Sequence, residues 1–306
     1  MSLLDVRNAG LHDLIAPDAL IERIAGGLTF TEGPVWRKRD SALLFSDIPN
    51  NRIVRWRRLP EGPELTTFAT GHSNGLTLDR QGNVLAAEHG GRGVARVADD
   101  GTRTMVVGRF QGKRLNSPND VVVKSDGAIY FTDPPYAVGA TTPGASRPAG
   151  WWAAAIPGKE QPCHGVYRLA PDGALQLLVD DFALPNGLAF SPDESILYID
   201  DSAHKHIRAF DVRADGSLTN SRIILELASS EPGVPDGMKV DVQGNLFCTG
   251  PGGVWVCRAD GTLLGRILFP ELPANLAWGE DGSAFFVTAR TSVYRIQTKT
   301  RGAILG

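Results

Sequence analysis

No stretch of this 306-residue chain approaches the roughly 18 consecutive apolar residues that a membrane-spanning helix needs. The opening residues Met1-Ser2-Leu3-Leu4-Asp5 lack the basic start and apolar core of a secretory leader. Cysteine is scarce: Cys163, Cys248 and Cys257 are odd in number and lack zinc-finger spacing, which fits free thiols in a reducing, cytoplasmic compartment. Neither sign of charge dominates, since 31 Lys and Arg stand against 34 Asp and Glu for a formal net charge of −3. With no basic stripe or aromatic ladder, nothing points to a nucleic-acid surface. The expected partner is a small molecule rather than nucleic acid or membrane, and the expected state is a monomer or weak homodimer.

Glycine (35 residues) and proline (20 residues) are plentiful, and they fall in turns. The turns belong to a phrase written six times: Glu32-Gly33-Pro34-Val35, Asn74-Gly75-Leu76, Pro118-Asn119-Asp120, Pro185-Asn186-Gly187-Leu188, Pro235-Asp236-Gly237-Met238 and Ala274-Asn275-Leu276. Between these markers the steps are 42, 45, 67, 50 and 39 residues, the spacing of four-stranded propeller blades. Each marker leads into an apolar run, a tight turn and a second apolar run. In one repeat Val121-Val122-Val123 is followed by Ser125-Asp126-Gly127 and Ile129-Tyr130-Phe131. Asp-Gly pairs supply the turn and the β-branched and aromatic residues the strands. The spacing predicts an all-β, six-bladed β-propeller occupying residues 1–306 as a single domain.

The last repeat runs out near Ile296 with three clear strands, so the segment 20–25 is the expected fourth strand that closes the ring. Residues 1–18 then form a lead-in segment, with a short helix burying Leu11, Leu14 and Ile15.

In a propeller the first strand of each blade lines the central channel, so the six markers converge at one mouth. A single Asn-Gly pair is ordinary turn chemistry. Six in phase place Glu32 and Asp236 together with Asn74, Asn119, Asn186 and Asn275, and two buried carboxylates repel unless neutralised. Oxygen donors without His or Cys suit a hard divalent ion at a central axial site. Calcium suits best because it accepts irregular oxygen shells; zinc, manganese and magnesium are the other candidates.

From about Leu28 to Ile296 the chain resembles the gluconolactonase and regucalcin (senescence marker protein) family of six-bladed propellers. The resemblance is carried by Thr31-Glu32-Gly33-Pro34-Val35-Trp36, Asn116-Ser117-Pro118-Asn119-Asp120, Pro185-Asn186-Gly187-Leu188-Ala189-Phe190-Ser191 and Pro235-Asp236-Gly237-Met238. The stretch 113–123, followed by Phe131-Thr132-Asp133-Pro134-Pro135-Tyr136, is most similar to the bacterial gluconolactonase branch. The resemblance implies a metal held by Glu32, Asn186 and Asp236, with Asn119 a fourth ligand or a substrate contact. It leaves no match for the substrate-contacting arginine of regucalcin, whose place Ser117 takes; Arg114 is the candidate replacement.

A metal so placed implies hydrolysis of a small sugar lactone, glucono-1,5-lactone being the first candidate, by polarisation of the carbonyl and attack of water. Asp236 is the candidate general base, the alternative nucleophile being hydroxide carried on the metal. A metal-dependent phosphotriesterase or aryl esterase and a non-catalytic calcium-binding propeller are the competing readings.

The ends of the second strands return to the same mouth with Asp47, Glu88, His89, Asp133 and Asp201, which read first as caps on neighbouring loops. Asp133 is singled out for substrate binding because it opens the one long insertion, 134–164, in the third blade. That insertion reads as a lid, with Tyr136 and Trp151 as a wall for a sugar ring. Asn74 and Asn275 complete the substrate-binding candidates. His72, His204 and His206 read as surface or local hydrogen-bonding residues, with His204 close enough to reach the mouth.

Overall fold

The computed structural model describes residues 3–139, 148 and 150–303. Six antiparallel sheets follow one another along the chain as blades 1 to 6, spanning 31–69, 73–107, 121–179, 185–226, 238–267 and 273–297. Their inner strands are Thr31–Arg37, Ser73–Leu78, Val121–Val123, Pro185–Phe190, Met238–Val240 and Pro273–Gly279. The six-bladed propeller expected from the repeat is the observed architecture. No helix among the described residues is long and apolar enough to cross a membrane.

The second strands explain why the blades stack. Ala42–Asp47, Val84–Glu88, Ile129–Asp133, Leu246–Gly250 and Ala284–Ala289 are buried along their whole length, because each sheet has a neighbour on both faces. Aromatic rings fill the gaps between blades. Trp278 and Phe285 of blade 6 lie 4.6 Å apart, and Phe247 of blade 5 meets them at 5.2 and 5.3 Å. Removing one such side chain costs about 3–5 kcal/mol. The hairpins close by a shared device: Asp126, Asp172 and Asp260 each accept the backbone N–H two residues on, at 2.9, 3.0 and 2.9 Å.

Ring closure follows the expectation. Ile21–Ala25 pairs with Ser292–Gln297, Ile21 lying opposite Ile296, and so supplies the outer strand of blade 6. The lead-in contains the helix Leu11–Leu14, and Leu11, Leu14 and Ile15 are buried against blades 5 and 6. One element was not legible in the sequence: Leu4–Val6 adds a fifth strand to blade 5, pairing with Leu263–Ile267. Three residues carry too little alternation to announce a strand; the open edge of blade 5 recruits them.

The insertion lies where expected, between the second and third strands of blade 3, and its residues 140–147 and 149 lie outside the described residues. Its described part includes a short 3-10 turn, Trp151–Ala153.

Candidate metal centre

Adjoining blades hold each other's markers through hydrogen bonds that recur around the ring. Ser46 Oγ donates to the carbonyl of Asn74 at 2.7 Å, and Gly75 N–H to that of Asn119 at 2.8 Å. Thr132 Oγ1 donates to the carbonyl of Asn186 at 2.8 Å, and Ser202 Oγ to that of Pro235 at 2.6 Å. Gly237 N–H and Thr249 Oγ1 both reach the carbonyl of Ala274 at 2.8 Å, and Thr31 Oγ1 closes the circle on Ser292 O at 3.0 Å. The glycine after a marker is what permits this approach: a methyl group at Gly187 would overlap the backbone oxygen of Asp236.

The ring therefore brings all six markers to one mouth. Glu32, Asn74, Asn119, Asn186 and Asn275 are buried, and Asp236 is half-buried on the lumen. Away from them the channel widens into a cavity of about 1180 Å³ lined by residues of every inner strand, among them Val35, Leu76, Val122, Ala189, Lys239 and Ala277.

Two further carboxylates join the cluster, Asp120 and Asp200. Both are buried, at 2 % and 0 % exposure. Sequence reading passed over them although Asp120 ends a quoted motif and Asp200 immediately precedes Asp201. Strand alternation was the signal: Asp201 turns outward to cap a loop, so Asp200 must face the opposite way.

Four acids in one dry volume disturb each other. Burial, and then the Asp120 carboxylate, push Glu32 up to about 7, although Gly33 N–H donates to its Oε2 at 2.6 Å. Burial holds Asp236 well above the carboxylate range, and Glu32, Asp200 and Asp120 add to it. Asp120 and Asp200 are raised by burial as well.

The amides show which atoms remain available. Asn186 Nδ2 donates to Ser202 Oγ at 2.9 Å, which leaves its buried Oδ1 without a partner. Asn74 Nδ2 donates to His89 Nε2 at 3.1 Å, and Asn74 Oδ1 is likewise bare. Burial drives the His89 imidazole down to about 4, so it stays a neutral acceptor. Asn275 differs: its Oδ1 already accepts Leu276 N–H at 2.8 Å, and its side chain bonds to Glu32. Asp120 Oδ2 and Asp200 Oδ1 are also buried and unpartnered. The nearest sulfur, Cys248 Sγ, donates to Asp200 Oδ2 at 3.7 Å and is held as a thiol by burial, and the His89 imidazole is occupied by Asn74. Bare oxygens and clustered acids fit a hard divalent cation.

Other predicted residues fall in different places. Tyr136 is in the mouth: its hydroxyl lies beside Ser202, Asn186 and Asp236. Its ring is 6.4 Å from His89 and 6.0 Å from Trp151, which meets Trp152 at 6.4 Å, so an aromatic wall runs from the insertion to the site.

Asp133 and Arg114, the other substrate-binding candidates, are engaged in contacts with the chain itself. Asp133 is wholly buried, accepts Asn116 N–H at 2.8 Å and is lifted to about 7 by burial; the charges nearest it are Arg92 and Lys159. It braces the 116–117 backbone from the strand end, as Asp47 caps Thr29 and Phe30 and Asp201 caps Ala183 and Leu184. Arg114 lies on a surface hairpin with its side chain 50 % exposed, bonded to Glu160 at 2.5 Å. A long loop drew attention to residues that in fact anchor it.

Among the described residues, one trio of His, Cys, Asp or Glu brings its ligand atoms within 4.8 Å of one another: Asp201, His204 and His206 on blade 4. No three channel acids meet as closely, so the channel site relies on amide oxygens as well as carboxylates.

Comparison with known proteins agrees with this architecture. Residues 30–291 match the family described as the SMP-30/Gluconolactonase/LRE-like region. A gluconolactonase of Zymomonas mobilis is 39% identical over 308 aligned residues, covering 92% of this chain and 82% of its own. Regucalcin of Bos taurus is 29% identical, covering 84% and 82%. A solved gluconolactonase from Xanthomonas campestris superimposes with a TM-score of 0.86 at 34% identity, covering 97% of this chain and 95% of that one.

Proposed function

The chain belongs to the SMP-30/gluconolactonase/LRE-like family, and on that premise we propose that it opens a small sugar lactone, first among them glucono-1,5-lactone, at the marker mouth of its channel. It is a carboxylic ester hydrolase acting on lactones. The observation that carries the siting is the meeting of buried Glu32 with Asp236 beside the bare Oδ1 of Asn186.

Glu32, Asn186 and Asp236 would hold a divalent cation, calcium by preference, with Asn119 as a further oxygen donor or a substrate contact. When bound, the cation supplies Lewis-acid polarisation of the lactone carbonyl and charge stabilisation for the oxyanion. The chain's own groups do the rest. Asp236 takes a proton from the attacking water as its oxygen adds to the carbonyl carbon, and returns it to the ring oxygen when that bond to carbon breaks. Burial, and then the neighbouring acids, raise the proton affinity of Asp236, which is the direction a general base needs. Glu32 holds position, fixed by Gly33 N–H and Asn275.

Asn74 Oδ1, oriented by His89, is available to accept a sugar hydroxyl, and Asn275 lines the same rim. Tyr136 and Trp151 cover an apolar sugar face and exclude bulk water, with the insertion acting as a lid.

The test is proton release from gluconolactone and hydrolysis of paraoxon, each with chelator and after calcium is restored. The proposal expects chelator-sensitive lactone turnover well above any paraoxon turnover. Equal or greater activity on paraoxon overturns the substrate class, and lactone turnover indifferent to thorough metal stripping overturns the cation.

A further inference from the structure

Lys239 is the one cationic side chain whose charge is felt at both Glu32 and Asp120. It lies in the middle of the inner strand Met238–Val240, whose flanking residues Met238 and Val240 pack into the core beside blade 4. Alternation therefore turns Lys239 towards the channel, and it lines the cavity beneath the markers. Its ammonium donates to Met238 O at 2.9 Å, and no carboxylate among the described residues lies within ion-pair distance of it. A lysine built to hold one partner would touch it. This one acts at a distance on several.

The acids of this cluster outnumber what one ion needs. Glu32 and Asp236 belong to the catalytic cation proposed above. Asp120 and Asp200 flank the inner strand of blade 4: Asp120 Oδ1 accepts Val121 N–H at 2.9 Å, and Asp200 Oδ2 lies against Gly187 and accepts from Cys248 Sγ at 3.7 Å. Each still has a buried oxygen without a hydrogen-bond partner, Asp120 Oδ2 and Asp200 Oδ1. Two such oxygens on the axis beside two more acids are the makings of a second divalent site. A second ion together with the lysine would overfill four negative charges; one ion with the lysine leaves them nearly balanced.

We propose that Lys239 is a permanent countercharge that stands in the place of a second divalent cation, so that the channel holds a single ion. The inference rests on the cation reading of the marker mouth. It makes ion number a property of one side chain on the inner strand of blade 5.

The test counts ions. Full-length protein is stripped, loaded with calcium, dialysed and assayed by elemental mass spectrometry, and calcium affinity is measured against a chromophoric chelator. The wild type is expected to retain one calcium per chain. Lys239→Met and Lys239→Gln are expected to retain two, or to hold one about tenfold or more tightly, as loss of a nearby like charge predicts. Lys239→Arg, which keeps the charge, is expected to return to one ion at wild-type affinity.

Uncharged variants that fold normally by circular dichroism and still take one ion at unchanged affinity overturn the inference while leaving the cation reading intact. A wild type that takes two ions overturns it too. A wild type that takes none overturns the cation reading and this inference together. Should neither uncharged variant fold in chelator, recovery in excess calcium supports the countercharge role, and no recovery overturns it.

Discussion

Ser202 holds Asn186 in one of its two amide orientations: Asn186 Nδ2 donates to Ser202 Oγ at 2.9 Å, and that hydroxyl in turn donates to Pro235 O at 2.6 Å. The bond decides that oxygen rather than nitrogen faces the mouth. Ser202→Ala frees the amide to flip, and a flipped amide offers N–H to a cation. Calcium affinity is expected to fall about tenfold, whereas loss of the hydrogen bonds costs the fold only about 1–2 kcal/mol. Calcium titration read beside a thermal melt separates the two effects. A melt shift without loss of affinity would leave the orientation argument without support.

Asp236→Asn preserves size and removes the base. Turnover is expected to drop by about 10²–10⁴-fold, the usual contribution of a positioned proton acceptor. Because the amide relieves repulsion among Glu32, Asp120 and Asp200, the stripped variant is expected to melt higher than the stripped wild type. A variant that keeps both its metal and its turnover removes Asp236 from the base role.

Proton and metal compete for the same acids, which fixes the sign of a pH effect. Burial raises Glu32 from 4.5 to about 7 and Asp236 well above its ordinary value, so the stripped folded chain binds protons that the unfolded chain has released. Stability of the stripped protein therefore falls as pH rises from about 4.5 through about 7. His89, buried neutral, acts in the opposite sense, and its contribution is complete above its ordinary value of 6.5. The clean window therefore opens at about pH 6.5 and runs up through the raised values of Glu32 and Asp236. Across it the gain in melting temperature on adding calcium is expected to widen, because binding then displaces fewer protons. A gain that is flat or shrinks with pH contradicts the assignment of Glu32 and Asp236.

Much of this site could be read from the chain, for a reason particular to its architecture. Glu32, Asn74, Asn119, Asn186, Asp236 and Asn275 stand at one position of a repeat, and a ring converts equal position into proximity. Asp120 and Asp200 escaped because they follow or precede a residue that already had a role, and only the face each takes on its strand separates the two. Lys239 carries no mark in the sequence: alternation separates it from Met238 and Val240, but only the closed ring makes the face it takes a channel wall. The contacts of Asp133 and Arg114 were not legible, since nearness in sequence to a lid-like insertion says nothing about which way a buried cap or a surface arginine points. Closure by 20–25 was legible because a missing strand leaves a gap, whereas Leu4–Val6 adds a strand to a blade already complete.

Tyr136 joins the aromatic wall to the polar mouth, and its two halves can be tested apart. Its ring stands between His89 and Trp151, while its hydroxyl lies beside Ser202, Asn186 and Asp236. Tyr136→Phe keeps the wall and removes the hydroxyl. If that hydroxyl helps fix Asn186, kcat is expected to fall about tenfold with KM little changed, matching the roughly 0.5–1.5 kcal/mol of one hydrogen bond. Tyr136→Leu also removes the flat ring, and KM is expected to rise with it as the sugar face loses its cover. Steady-state kinetics on gluconolactone gives both numbers. Equal KM for the two variants would mean that the ring is packing for the insertion and touches no substrate.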